Sequence, residues 1–137
     1  MGYATDMKMI WMVLFVLLAI GVCTAEVPNL VGNWTGLGTG YYAVDGTYKM
    51  NENGSISYSF TEQKDRLFRG NITYVINGTN IVEGFAGAVG LDNKTLYLAE
   101  YDKGYDIGTI SGDEMELIYI EDGDSGWAAI NKLQRTK

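Results

Sequence analysis

Two glutamates are the side chains of this sequence best placed for acid–base chemistry, because a strand pattern turns both toward an interior. Glu83 shares a face with Ile81 and Phe85, and Glu100 shares a face with Leu98. Burial raises the pKa of a carboxyl group, which can then act as a general base or acid. A glutamate at a strand end more often leans into solvent. We therefore predict no catalytic residues, and an enzyme is the less favoured alternative.

A short acidic loop offers oxygen ligands for a metal ion. Glu121, Asp122 and Asp124 lie together in a loop that also contains two glycines, and calcium takes carboxylate ligands. The loop lacks the EF-hand pattern, and an acidic hairpin loop is usually just solvated. Histidine, the most common metal ligand, is absent. We predict no metal site and no cofactor.

Composition excludes several other function classes. The chain has 137 residues, with 17 acidic side chains against 10 basic ones and a formal net charge of −7. A nucleic-acid-binding protein needs a basic surface, so we expect no nucleic-acid partner. With no histidine and a single cysteine, the chain has no Ser–His–Asp triad, no Cys–His pair and no internal disulfide.

The first 25 residues have the layout of a secretory signal. Lys8 supplies a positive charge, Ile10 to Val22 is an apolar run, and small residues stand at positions −3 and −1 of a cut after Ala25. We predict that residues 26–137 form one exported domain, secreted or at the cell surface. If the segment is not cleaved, it becomes an anchor that attaches the protein to a membrane, since it reaches the lower limit for a span.

Five Asn-x-Ser/Thr motifs support export independently, because about one would be expected by chance and N-glycosylation takes place outside the cytoplasm. Asn-Gly and Asn-Lys turns in a β-protein also generate such motifs by accident. Turn chemistry explains only some of them, and we predict glycosylation among Asn33, Asn53, Asn71, Asn77 and Asn93.

The rest of the chain is typical of β-strands. Alternating apolar and polar residues mark a run at Ile56 to Thr61. Turn signals such as Asn53-Gly54 and Asp122-Gly123 recur about every ten residues, which is the spacing of hairpin-connected β-domains. The other runs surround Trp34 and cover Phe68–Ile76, Ile81–Val89, Thr95–Tyr101, Tyr105–Ser111, Glu114–Glu121 and Trp127–Arg135.

Eight or nine strands with short connections favour an all-β fold. The predicted fold is an antiparallel up-and-down β-barrel of about eight strands, preceded by the hydrophobic signal or anchor segment. A meander of this size closes readily and so removes its exposed edges. A two-sheet sandwich is the alternative, but it usually contains longer crossover connections.

The two ends of this domain resemble the calycins, the group of lipocalins and avidins. Gly32-Asn33-Trp34 opens the first strand, and Arg135 or Lys132 supplies a basic residue on the last. The resemblance implies that Trp34 closes one end of a barrel and that a basic side chain lies across its ring. The several tryptophans of an avidin biotin site are missing, as is the lipocalin disulfide. The resemblance therefore supports the barrel and not a particular ligand.

A small eight-stranded barrel has room for filling side chains or for one small ligand. Aromatic residues on the inward faces suit an apolar or amphipathic molecule, although they could equally fill the core. We predict a non-catalytic binding protein, with ligand-binding residues among Trp34, Tyr58, Phe60, Tyr74, Phe85, Tyr119 and Trp127.

The alternative is a surface glycoprotein module for adhesion or envelope structure, which needs no internal ligand. Its contacts would be made by the outer wall, where tyrosine is a frequent contact residue for proteins and glycans. Ordinary cross-strand packing would explain the same side chains. The tyrosines concerned are Tyr41, Tyr42, Tyr97, Tyr101 and Tyr105.

Overall fold

Eight antiparallel strands form a closed barrel in the computed structural model, which describes residues 26–76, 78–124 and 126–137. Each strand pairs with the next one along the chain, and the last pairs with the first. The predicted up-and-down barrel is therefore confirmed, whereas the predicted signal or anchor segment (1–25) lies outside the described residues. The strands are β1 (Gly32–Val44), β2 (Thr47–Lys64), β3 (Leu67–Ile76), β4 (Thr79–Val89), β5 (Thr95–Glu100), β6 (Tyr105–Ser111), β7 (Glu114–Glu121) and β8 (Trp127–Arg135).

The inside and outside of the wall follow the sequence alternation. In β6, exposed and buried residues alternate without exception, and β3 begins in the same way. No helix within the described part of the chain is long and apolar enough to cross a membrane.

One predicted turn is wrong. Asn53-Gly54 lies inside β2, where the register with β1 shifts between Gly38 and Gly40. Asn53 has a φ of 56°, the left-handed conformation that asparagine tolerates both in turns and in β-bulges. The chain instead reverses at residues 45–46, which lie between β1 and β2. β2 is therefore longer than the predicted run.

An aromatic cluster fills the half of the barrel nearest Trp34, which we call the lower half. Phe60 contacts Phe68 and Phe85, with ring centroids 5.3 and 5.1 Å apart. A Cβ atom on Gly70 would collide with the ring of Phe85, and one on Gly87 would collide with the ring of Phe68. These glycines therefore let large rings pack directly against the wall.

The lower end of the barrel is closed as the calycin resemblance implies. Trp34 is completely buried, and its Nε1 donates a hydrogen bond to the carbonyl oxygen of Leu30, 2.9 Å away. The guanidinium carbon of Arg135 lies 4.2 Å from the centroid of the Trp34 ring. Arg135 also donates hydrogen bonds to the carbonyl oxygens of Val31 and Asn29, so it ties the segment before β1 across this end.

Lys132 does not share this role. Its ammonium group is exposed on the outer wall, 4.0 Å from the carboxylate of Glu116. Of the two basic residues predicted to cover Trp34, Arg135 makes the contact.

Candidate functional site

A cavity of about 200 Å³ opens at the end of the barrel opposite Trp34. We call it the mouth cavity. All strands except β6 contribute to its wall, together with the turn between β5 and β6. The lining residues are Gly38, Gly40, Asn51, Gly54, Ser55, Ile56, Tyr58, Ile72, Tyr74, Val75, Ile76, Glu83, Glu100, Asp102, Lys103, Tyr119, Glu121, Trp127, Ala129 and Asn131.

The cavity is open because one side of its wall has almost no side chains. Gly38 pairs with Gly54 across β1 and β2, and Gly40 pairs with Ala129 across β1 and β8. A Cβ atom on Gly38 would collide with the side-chain oxygen of Asn131. The glycines thus leave space that bulkier residues would fill.

The aromatic residues predicted to bind a ligand divide into two groups. Tyr58, Tyr74, Tyr119 and Trp127 line the mouth cavity. The other three do not line it, because they pack against one another and against the closed end below: they are Trp34, Phe60 and Phe85.

Carboxyl groups stand on the wall that faces the glycines. Glu83 accepts hydrogen bonds from the backbone N–H of Asp102 at 2.6 Å and from the hydroxyl of Tyr74 at 3.3 Å. Glu121 accepts one from the hydroxyl of Tyr119 at 3.0 Å. Each of these carboxylates is thus held at the cavity by a named donor. The inward direction predicted for Glu83 is confirmed.

Glu100 and Asp106 are neighbouring carboxyl groups at the floor of the cavity. Burial, together with the charges of Asp106, Glu83 and Glu121, raises the pKa of Glu100 to about 9. Burial also raises the pKa of Asp106 to about 6, although the neighbouring Glu100 and Tyr58 side chains oppose the shift. Near neutral pH, the pair therefore retains a proton.

A buried polar group fixes that pair from the β2 side. The hydroxyl of Tyr58 lies 3.3 and 3.4 Å from the two carboxylate oxygens of Asp106, and it accepts a hydrogen bond from Asn131 at 3.3 Å. Burial raises the pKa of Tyr58 well above its ordinary value, and the charge of Asp106 adds to the effect. Tyr58 thus remains a neutral donor to the carboxyl pair.

The tyrosines at the rim of the cavity also stay protonated. Burial, together with the charge of Glu83, raises the pKa of Tyr74 to about 12. Burial also raises the pKa of Tyr119, and the charge of Glu100 is the next largest cause. Both side chains are therefore hydrogen-bond donors at any physiological pH.

Trp127 brings an aromatic face and a buried donor to the mouth cavity. Its ring packs between Tyr42 and Tyr119, with centroids 6.1 and 6.0 Å away. Its Nε1 atom is buried and has no hydrogen-bond partner among the described residues. A buried donor without an acceptor costs about 1–3 kcal/mol.

No cluster of three or more histidine, cysteine, aspartate or glutamate side chains in residues 26–76, 78–124 and 126–137 could hold a metal ion. The acidic loop after β7 does not gather its carboxylates into one site. Glu121 instead turns to the mouth cavity, where one of its carboxylate oxygens is 3.7 Å from the ammonium group of Lys103.

Four of the five predicted glycosylation sites lie in the described residues. Asn33, Asn53 and Asn71 are exposed on the outer wall, and Asn93 is half-buried in the loop between β4 and β5. Asn77 lies outside the described residues. The predicted outward direction of Asn71 is confirmed.

Two buried residues of the site were not predicted from the sequence. Asp106 alternates with Gly108 and Ile110 on the inward face of β6, so its direction could have been read from the same pattern that indicated Glu83. Asn131 follows an inward-facing Ala129 in the same way. Their contacts with Tyr58 join β2, β6 and β8 across the barrel. Because these strands are far apart in the sequence, no local motif indicates the contacts.

Comparison of the chain with protein-family models, with curated proteins and with solved structures finds no match.

Proposed function

We propose that this protein is a non-catalytic binding protein that holds one small amphipathic molecule in the mouth cavity. The observation on which this depends is the cavity itself, an open space of about 200 Å³ lined by aromatic rings on one side and carboxyl groups on another. Ligand sites are typically concave, largely apolar and supplied with a few fixed polar groups. The cavity combines these properties with hydrogen bonds that position Glu83 and Glu121 in advance.

The volume limits the ligand to a molecule of about one ring. A dry cavity of about 150 Å³ is enough for benzene in another protein, and sites for drug-sized ligands span about 300–1,000 Å³. A ring with a short polar substituent fits between these limits.

A pair of neighbouring alanines provides the experiment. Ala129 lines the cavity, whereas Ala128 precedes it on β8 and faces outward. Ala129→Phe should abolish binding of a single-ring ligand in titration calorimetry, and Ala128→Phe should bind like the natural protein. Equal binding by both variants, with both folded, would place the ligand elsewhere.

We further propose that the barrel is calycin-like and works outside the cytoplasm. The contact between Trp34 and Arg135 supports the first part. The signal-like segment 1–25 and the exposure of Asn33, Asn53 and Asn71 support the second. The intact mass of the protein from its own source tests export: it should begin at Glu26 and lose glycan mass on endoglycosidase treatment, and a full-length unmodified mass would contradict this proposal.

A second candidate function is a contact module, and the outer wall supports it. Ile107, Ile118 and Ile130 are cross-strand neighbours on β6, β7 and β8. Tyr97 adjoins Ile107 from β5. Their side chains are 40–51% exposed, and a contiguous exposed apolar patch often marks an interaction site. Of the five tyrosines considered for such contacts, Tyr41, Tyr97, Tyr101 and Tyr105 are exposed, whereas Tyr42 packs on Trp127.

The outer patch can be tested apart from the cavity. Ile118→Lys should weaken self-association or cell-surface attachment measured by sedimentation or adhesion assays. Val82→Lys, at an exposed site on β4, is the matched control. If neither variant changes attachment, the patch is not a contact surface.

A further inference from the structure

We propose that the ligand of the mouth cavity is a small organic cation, a single-ring amine or ammonium compound whose charged group is bound by Glu83, Glu100 and Glu121. This inference rests on the proposed binding function and specifies its ligand class. The aromatic rings bind the body of the molecule, and the carboxyl groups bind its positive end.

The charge of the lining favours a cationic ligand over an anionic or a neutral one. Four carboxyl groups line the cavity, those of Glu83, Glu100, Asp102 and Glu121. Among the described lining residues, Lys103 is the only basic one, and its side chain is 60% exposed beside Glu121. An anion would meet like charges in a partly dehydrated site. A neutral ligand would gain nothing from the carboxylate charges of the lining, whereas a cation would be attracted to them.

The carboxylates are positioned to receive N–H donors. Glu83 is anchored from two sides, by the backbone of Asp102 and by Tyr74, and Glu121 is anchored by Tyr119. A carboxylate has about four lone-pair sites, so Glu83 can accept a further N–H donor. Because the groups are already ordered, little conformational entropy is lost when a cation binds.

The rings add a second source of attraction for a cation. Tyr74, Tyr119 and Trp127 line the same cavity as the carboxylates. A cation is attracted to the face of an aromatic ring, most strongly to tryptophan. The same side chains would also pack against an apolar ring on the ligand. One site thus favours both ends of an aromatic amine.

The carboxyl groups of the cavity also repel one another. The charges of Asp106, Glu83 and Glu121 all raise the pKa of Glu100, and Lys103 is the single basic side chain in the described lining. A bound cation would relieve that repulsion. A proton on Glu100 serves this purpose while the cavity holds no cation.

Three probes of matched size separate charge from shape: phenethylamine, phenethyl alcohol and phenylacetate. We would titrate each into the full chain at neutral pH and low salt by calorimetry. The amine should bind at least about tenfold more tightly than the alcohol, since a charge-assisted hydrogen bond is stronger than a neutral one, and phenylacetate should not bind.

Carboxamide variants connect the effect to named side chains. Glu83→Gln and Glu121→Gln should each weaken amine binding by about tenfold, while binding of the alcohol changes little. Glu116→Gln is the control, because Glu116 lies exposed on the outer wall beside Lys132. Unchanged amine binding in both cavity variants would overturn the inference.

The outcomes for this inference and for the proposed function differ. If the alcohol binds as tightly as the amine, or phenylacetate binds best, the proposal of a cationic ligand is wrong. The proposal of a ligand-binding cavity is still supported in that case. If none of the three binds, both proposals fail. Preference for the amine in the natural protein, lost in Glu83→Gln but kept in Glu116→Gln, supports both.

Discussion

Glu100 and Asp106 are neighbouring carboxyl groups at the floor of the mouth cavity, and Asp106 has no exposed surface. Two carboxyl groups in contact cannot both ionise cheaply in a dehydrated site, so one keeps its proton. The pair thus gives the open end of the barrel a proton that can be lost. The closed end has a different chemistry, in which Arg135 covers Trp34.

The stability of the protein without ligand should fall as the pH rises. The pKa of Glu100 is about 9 and that of Asp106 about 6 in the folded protein, against 4.5 and 3.8 as ordinary values. The folded state therefore binds more protons than the unfolded state between these limits, and each proton lost on raising the pH removes stability. Glu100→Gln removes the larger of the two shifts.

Thermal unfolding measures this effect. Between about pH 5 and about pH 9, the melting temperature of the natural protein should fall by about 5 °C or more relative to that of Glu100→Gln. Glu116→Gln, which changes an outer carboxylate, should follow the natural protein. Parallel curves for all three proteins would contradict the shifted pKa of Glu100.

Binding of a permanent cation should release protons. A positive charge beside Glu100 favours its ionised form and lowers its pKa. The affinity for benzyltrimethylammonium, whose charge does not change with pH, should therefore rise with pH up to about the pKa of 9 that Glu100 has without ligand. Asp106, whose pKa is raised by burial next to Glu100, should share in this release.

Calorimetry in two buffers of different ionisation enthalpy counts the protons released. The natural protein should release protons at neutral pH, and Glu100→Gln should release fewer. Proton uptake on binding, or an affinity that does not change with pH, would be inconsistent with a cation bound next to Glu100.

Arg135→Ala should destabilise the fold by about 1–3 kcal/mol, since it removes a cation–π contact and hydrogen bonds to the segment before β1. Lys132→Ala, on the same strand, should cost less than about 1 kcal/mol because its ion pair with Glu116 is exposed. Urea unfolding compares the two variants. Equal losses would show that Arg135 has no special role at the closed end.

The alternation of apolar and polar side chains predicted most of the barrel, because one face of each strand lies against the interior and the other faces solvent. This is why Glu83, Phe85 and Leu98 point inward as expected. The turn at Asn53-Gly54 was wrong because the same left-handed backbone occurs in turns and in bulges. Only the pairing with β1 distinguishes the two.

The candidate site was less predictable than the wall. Inward direction alone does not tell which end of a barrel is packed, so Trp34, Phe60 and Phe85 could not be separated from the residues of the mouth. The cavity depends on glycines of β1 and β2 that come together only through strand pairing. The contact of Asp106 with Tyr58 likewise joins strands that are distant in sequence.

The indole N–H signals of Trp34 and Trp127 provide the most direct measurement, since one ring lies at each end of the barrel. We would titrate phenethylamine into ¹⁵N-labelled full-length protein and assign the signals with Trp→Phe variants. The Trp127 signal should shift with saturation while that of Trp34, whose Nε1 donates to the carbonyl of Leu30, stays in place. A shift at Trp34 alone, or no shift at Trp127 at saturating amine, would contradict a binding site in the mouth cavity.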